Sequence, residues 1–375
     1  MTSTEAQGNG APPAGPPPAV ARFRRLIDLA RGRRAPLIHL QHNPDPDAVA
    51  AAVGLQYLLE RVLGPEAVLA YTGTVGRAEN RAMLRWLKIQ IVPSFKIDYA
   101  QHDLIIVVDT HPGAGTCRLP RGVVPHVVVD HHPTRAPVEG VALDYQDTAF
   151  GSTSTMVGAL LLENGIPIDA RVATALTYGI RTDTLDLARS ENAEDERVFQ
   201  QVYALADKRL LGRIERARVP QDYFQTLENG LRRALITDFA VTTYVGPIGY
   251  GDAVAEIADM LFRLEGIKWV MVGGERGAVL YLSIRALAGE GVDAGAVARD
   301  VTGGHGGGHE TFAGAQVPFP AAGADPREFF EEIRDRFLKE IRAKKSLTRP
   351  LTLPPDVQTE ESVVRRLRPD EPEVP

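Results

Sequence analysis

The feature that most constrains this chain is an alternation. Between residues 36 and 184, short runs of β-branched and aliphatic residues take turns with longer helical patterns. "PLIHLQH" (36–42), "AVLAYTG" (67–73), "DLIIVVDT" (103–110) and "PHVVVDHH" (125–132) read as strands. "DAVAAAVGLQYLLERVLG" (47–64), "RAENRAMLRWLK" (77–88), "GSTSTMVGALLLENG" (151–165) and "DARVATALTYGIRTDT" (169–184) read as helices. Strands alternating with helices predict an α/β fold, a mostly parallel sheet with flanking helices.

The rest of the chain divides around that block. Residues 1–19 are rich in Pro, Ala and Gly and are expected to be a disordered tail. An amphipathic helix follows in "ARFRRLIDLARGRR", so the first domain is placed at 20–192. A charged helical stretch, 193–234, reads as a connector. A smaller α/β unit follows over 235–345. It opens with "ALITDFAVTTYV" as an extended strand or strand pair. "KWVMVGG" and "GAVLYLSIRA" read as two strands paired around "GERG". Residues 346–375, with Pro and mixed charge, read as a second disordered tail.

The 375 residues suffice for two domains, and 44% of them are hydrophobic, so a sizeable core is available. A formal net charge of −6 argues against a grip on long duplex nucleic acid, which needs a basic surface. It leaves room for a small phosphorylated ligand. One cysteine, Cys117, rules out an intrachain disulfide and suits a reduced, cytoplasmic setting. No apolar run approaches the ~20 residues that span a bilayer, so no membrane partner is expected.

Acids and histidines collect where strands or helices end. "HNPDPDA" holds His42, Asp45 and Asp47; "VVDT" holds Asp109; "VVVDHHP" holds Asp130, His131 and His132; "GIRTDT" holds Asp183. Each has a structural reading by itself: Asp47 as a helix cap, Asp109 as a turn residue. Together they do not. In an open α/β sheet the carboxyl ends of the strands face the ligand crevice. Several carboxylates buried there would repel one another and raise each other's pKa unless cations joined them. Mixed carboxylate and imidazole ligands suit manganese, iron, cobalt or zinc. The ligands are enough for two ions with one carboxylate bridging, an arrangement used for in-line displacement at phosphorus.

These motifs, in this order, resemble the DHH phosphoesterase superfamily. "HNPDPDA" resembles its first motif, His-x-x-Pro-Asp-x-Asp, and "VDHHP" resembles its signature. "GGHGGGHETFAGA" resembles the glycine-rich segment of the DHH-associated C-terminal domain. The resemblance implies that His42, Asp45 and Asp109 hold one metal, and that Asp47, Asp109, His131 and Asp183 hold the other, most naturally manganese. His132 would face the phosphate as a catalytic group, and Asp130 would orient a neighbouring histidine. Asn80 and Arg81 would lie near the substrate. Gly307, Gly308 and His309 would close over it, and Arg285 would anchor a phosphate. Three departures stand out: Pro46 where Gly is common, "LDLARS" after Asp183–Thr184, and Phe312 at an Ala position.

The implied activity is hydrolysis by metal-bound hydroxide of short oligoribonucleotides or small phosphorylated nucleotides. The NrnA-like group, which dephosphorylates 3′-phosphoadenosine 5′-phosphate, is the nearest match in layout. A cyclic- or linear-dinucleotide phosphodiesterase stands beside it. A non-catalytic nucleotide sensor on the same fold is the alternative of another class. Short RNA or a small nucleotide is the expected partner, with a homodimer left open.

Overall fold

The structure is a computed structural model that describes residues 18–352 apart from 134, 191, 290 and 292. The expected disordered segments lie largely outside this range. It falls into two units, one ending at Ala217 and one beginning at Arg218.

The first unit runs α1 (Pro18–Ala30), β1 (Pro36–His42), α2 (Pro46–Leu63), β2 (Val68–Thr72), α3 (Ala78–Trp86), β3 (Val92–Pro93), β4 (Leu104–Val108), β5 (Val127–Asp130), β6 (Leu143–Gln146), α4 (Thr153–Glu163), α5 (Ala170–Asp183), α6 (Ala193–Leu205) and α7 (Lys208–Glu215). Its six strands form one sheet in the order β3-β2-β1-β4-β5-β6, and every pairing is parallel. The strand order reverses between β1 and β4, so a crevice opens there at the carboxyl ends. β4 and β5 are buried throughout, as unbroken β-branched runs covered on both faces should be.

α2 is the central helix, with Ala48 through Leu55 all buried. Its small residues let neighbours come close. A Cβ on Gly54 would lie 2.6 Å from Val157 Cγ1 of α4, and one on Gly179 of α5 would lie 2.8 Å from Ala50 Cβ. Pro46 fits the first turn because that turn needs no amide donor. The helix stops at Gly64, whose φ of 92° disfavours any other residue.

The stretch 193–234 is not a separate connector. Val198 and Val202 of α6 and Leu211 and Ile214 of α7 belong to the core of the first unit. Only α8 (Gln221–Arg233) joins the second unit, where Leu227 and Leu231 pack beside Val245 and Ile257.

The second unit continues with β7 (Leu235–Thr237), β8 (Ala240–Pro247), α9 (Ala253–Leu261), β9 (Trp269–Arg276), β10 (Val279–Ala286), α10 (Ala294–Val301), β11 (Gly306–Gly308), β12 (Phe312–Pro318), α11 (Pro326–Glu340) and β13 (Thr348–Pro350). The sheet order is β11-β12-β10-β9-β8-β7-β13. Residues 348–350, expected in a disordered tail, instead pair antiparallel with β7 and add an edge strand. No helix among the described residues is long and apolar enough to cross a membrane.

Candidate metal centre

The crevice at the β1/β4 reversal gathers side chains from β1, the β4 and β5 ends, α2, α4 and α5. Asp109 follows β4 and is buried, with a left-handed φ of 59°. That conformation costs on the order of 1 kcal/mol in a non-glycine residue. Its Oδ1 accepts from Thr153 Oγ1 at 2.8 Å, and its Oδ2 accepts from Gln41 Nε2 at 2.8 Å. Asp47, in the first turn of α2, accepts from the backbone amides of Thr153 and Ser154, each at 2.8 Å. Those amides belong to the start of α4, where unpaired donors and the helix dipole favour a carboxylate.

His131 is aimed by its other nitrogen. Its Nδ1 lies 3.3 Å from the Phe150 carbonyl, which leaves Nε2 facing the acids. Nε2 is 3.1 Å from Asp183 Oδ2 and 3.6 Å from Asp109 Oδ1. Asp183, the last residue of α5, leaves that Oδ2 buried with no hydrogen-bond partner. His132 Nδ1 sits 2.8 Å from Asp130 Oδ1 and 3.8 Å from Asp109 Oδ1.

Two sets can place donor atoms within 4.8 Å of one another: Asp47, His131 and Asp183, and Asp109, His131 and His132. The electrostatics match. Burial, then the neighbouring Asp47 and Asp45, pushes Asp109 well above the usual carboxylate range. Burial and Asp47 likewise push Asp183 well up. Asp45 rises to about 6 through desolvation and the Asp47 charge. Burial holds His131 below its ordinary value, so its ring favours the neutral, ligating form. Acids that are costly to ionise, a neutral imidazole and an orphaned carboxylate oxygen are the donor set of a divalent transition-metal site. The residues fit such an ion.

Of the expected ligands, His42 and Asp45 belong to neither set. The His42 ring Nδ1 lies 3.1 Å from Thr72 Oγ1, and the His42 amide donates to the Thr116 carbonyl. Of the neighbours Gln41 and His42, Gln41 is the one whose side chain reaches Asp109. The motif His-x-x-Pro-Asp-x-Asp, counted back from Pro44, also puts its histidine at position 41, which is Gln41 here. Asp45 serves as the α2 N-cap, accepting from Ala48 N at 3.0 Å. Asp47 is not that cap.

Asn80 is buried on α3, and the neighbouring Arg81 donates to the Gly76 carbonyl. In the second unit Arg285 is the next-to-last residue of β10, with Nε 2.5 Å from Asp259 Oδ1 and Nη1 2.8 Å from Ser283 Oγ. The His309 ring lies against Phe312 at 4.5 Å between centroids, tilted by 38°. Within the glycine run, Gly303 and Gly304 lie in a turn and Gly306–Gly308 form an edge strand, β11. A Cβ on Gly306 would lie 2.6 Å from the Ala298 backbone, and one on Gly308 2.3 Å from the Phe312 carbonyl. Those two glycines are therefore required by the close approach of backbone, whereas nothing lies within 4 Å of the Gly307 position.

Several contributors carried weaker signals. Gln41, Thr153 and Ser154 were not singled out, although "GSTST" at a helix start marks an anion-accepting amide cluster. Asp195 was also missed: it accepts from Gly151 N at 2.9 Å and Ser190 Oγ at 2.7 Å, tying the approach to α4 onto α6.

Fold and site together define an α/β protein with a carboxylate–imidazole centre at its strand-order reversal. The profile of the DHH family, N-terminal domain, matches residues 37–180, and that of the DHHA1 domain matches residues 238–343. The chain belongs to the DHH superfamily. It is 31% identical over 303 residues to the uncharacterized protein MJ1633 of Methanocaldococcus jannaschii, covering 79% of this chain and 61% of the relative. It is 28% identical over 171 residues to a probable manganese-dependent inorganic pyrophosphatase of Enterococcus faecalis, covering 46% of this chain and 54% of that protein. The chain thus spans less than two thirds of the length of these relatives. An exopolyphosphatase-related protein from Bacteroides fragilis superposes with a TM-score of 0.66 at 15% identity, over 86% of this chain and 98% of the other. RecJ from Thermus thermophilus, crystallised with Mn2+, superposes at 0.52 with 16% identity, over 86% of this chain and 54% of the other.

Proposed function

We propose that the chain is a metal-dependent phosphoesterase that hydrolyses short oligoribonucleotides or small phosphorylated nucleotides. One observation carries the reading: Asp47, His131 and Asp183 converge at the crevice where the strand order reverses, with Asp109 beside them. These residues would hold a divalent ion, with Asp45 and Asp109 serving a second position. The resemblance to a manganese-dependent pyrophosphatase supports manganese as the metal. When bound, such ions lower the pKa of water and neutralise charge on phosphoryl oxygens.

The protein's own groups do the rest. Burial alone would lower the His132 pKa, but the Asp130 hydrogen bond and the Asp45 and Asp47 charges outweigh it and raise it. His132 therefore holds its proton more readily than a free imidazole and can donate it to a phosphoryl oxygen or a leaving group. The Phe150 carbonyl fixes the His131 ring, and Thr153 fixes Asp109. In the second unit we assign substrate contacts to Arg285 and His309, with Gly307 as the open position of the glycine strand.

The sensor reading gains one observation. A protein that binds without turnover is expected to lose ligands, and Gln41 replaces the motif histidine. A turnover panel in manganese separates the two. It would compare dinucleotides, longer oligomers, cyclic dinucleotides, 3′-phosphoadenosine 5′-phosphate and pyrophosphate. The account expects hydrolysis of a short RNA or small nucleotide; tight binding with no turnover of any of them would favour the sensor.

A further inference from the structure

We infer that the two metal positions of this chain are unequal: the one held by Asp47, Asp109, His131 and Asp183 is tight, and the one served by Gln41, Asp45 and Asp109 has only oxygen donors and is weak. The inference rests on the metal-dependent reading above and deepens it.

The geometry at Asp109 carries it. A carboxylate shared through both its oxygens would offer one to each ion. Oδ1 faces Thr153 and the His131 side, 3.6 Å from His131 Nε2. Oδ2 is taken by the Gln41 amide at 2.8 Å. On that side the chain presents a carboxamide where the family motif has an imidazole. A carboxamide offers a single neutral, hard oxygen, and only if it turns its N–H2 away from Asp109. Imidazole is the better ligand for manganese, cobalt or zinc.

His132 also stands at Asp109, but on the Oδ1 side, 3.8 Å away, and the same Nδ1 is held by Asp130 Oδ1 at 2.8 Å. His42 is the nearest in sequence, yet its ring is turned to Thr72 and its backbone is pinned to Thr116. The neighbouring loop fixes that orientation. Asn43 adopts a left-handed φ of 58° and accepts from the Thr74 amide at 2.8 Å. Gly73 is bare because a Cβ there would lie 2.1 Å from Asn43 Oδ1 and 2.8 Å from His42 Cε1. Reorienting His42 would disrupt this packed corner. Both sets of convergent donors, in turn, include His131. The imidazole ligation of the centre is therefore concentrated on one side.

The test is a titration of the metal-free full chain with Mn(II), followed by calorimetry and by electron paramagnetic resonance. The wild type should take one ion tightly and a second at least about tenfold more weakly, the scale on which single supporting groups alter metal affinity. At one equivalent its spectrum should be that of an isolated ion. Gln41→His should strengthen the weaker step and bring the spectrum of an exchange-coupled pair to lower manganese. Two ions of equal affinity in the wild type would overturn the inference while leaving the metal-dependent reading intact. A folded Gln41→His chain with an unchanged weaker step would overturn it as well. No uptake of manganese at all would remove both. If Gln41→His does not fold, the wild-type titration decides alone.

Discussion

His132 Nδ1 lies 2.8 Å from Asp130 Oδ1, and each holds the other's charge in place. Burial would raise Asp130, but the His132 hydrogen bond and charge bring it below its ordinary value. His132 is raised in return. Asp130→Asn keeps the shape and removes the charge. It should lower the His132 pKa, read by histidine NMR, and reduce turnover about 100-fold or more, the range of a lost general acid. A His132 titration that does not move, or full turnover in the variant, would separate the pair from the chemistry.

Metal uptake should be linked to protons. Asp45 titrates at about 6, and Asp109 and Asp183 are raised well above ordinary carboxylates. A raised acid is more protonated before binding and must lose its proton to ligate. Manganese affinity should therefore climb as pH rises through about 6, with protons released on binding at pH 6 and fewer at pH 8. Calorimetry in buffers of different ionisation enthalpy measures the release directly. Heats that do not depend on the buffer at pH 6 would contradict the carboxylate assignment.

His39 offers a test of the fold without the metal. It is fully buried on β1, its Nδ1 is 2.7 Å from Tyr99 Oη, and its Nε2 has no hydrogen-bond partner. Desolvation lowers its pKa to about 4. The folded value is depressed below the unfolded one. The stability His39 contributes is therefore complete above about 6.5 and lost as pH falls toward about 4, on the order of 3 kcal/mol in all. His39→Leu cannot be protonated, so its urea midpoint should fall less between pH 6.5 and 4.5 than that of the wild type. Identical losses would show that His39 is not the acid-sensitive group.

What the sequence made legible follows physical lines. Buried parallel strands are unbroken apolar runs, so β1, β4 and β5 could be read directly, and with them the acids at their ends. β6, "LDYQ", is a short edge strand with mixed polarity and carries no such pattern. β11 is three glycines, whose strand conformation comes from pairing with β12 and packing against α10, not from propensity. The helices of 193–234 look alike in sequence, and only their buried faces show that α6 and α7 pack with the first unit. The histidine nearest Pro44 is His42, yet the motif's spacing counted back from Pro44 falls on Gln41, and it is Gln41 that reaches Asp109. After Asp183, Leu185, Asp186 and Leu187 all have left-handed φ. Arg181 secures this turn through Asp186 and Glu215, a tertiary contact that "LDLARS" gives no hint of.

The measurement that bears most directly on the whole account is manganese-dependent hydrolysis by wild type and Asp109→Asn, assayed on the best substrate of the panel. Asparagine tolerates the left-handed backbone at this position, so the variant should fold. It removes the carboxylate charge that both metal positions share. In the wild type, chelation should abolish hydrolysis and added manganese restore it, and activity should be reduced at least about 1,000-fold in the folded variant. Undiminished hydrolysis by Asp109→Asn, or hydrolysis that survives chelation, would contradict the metal-dependent reading.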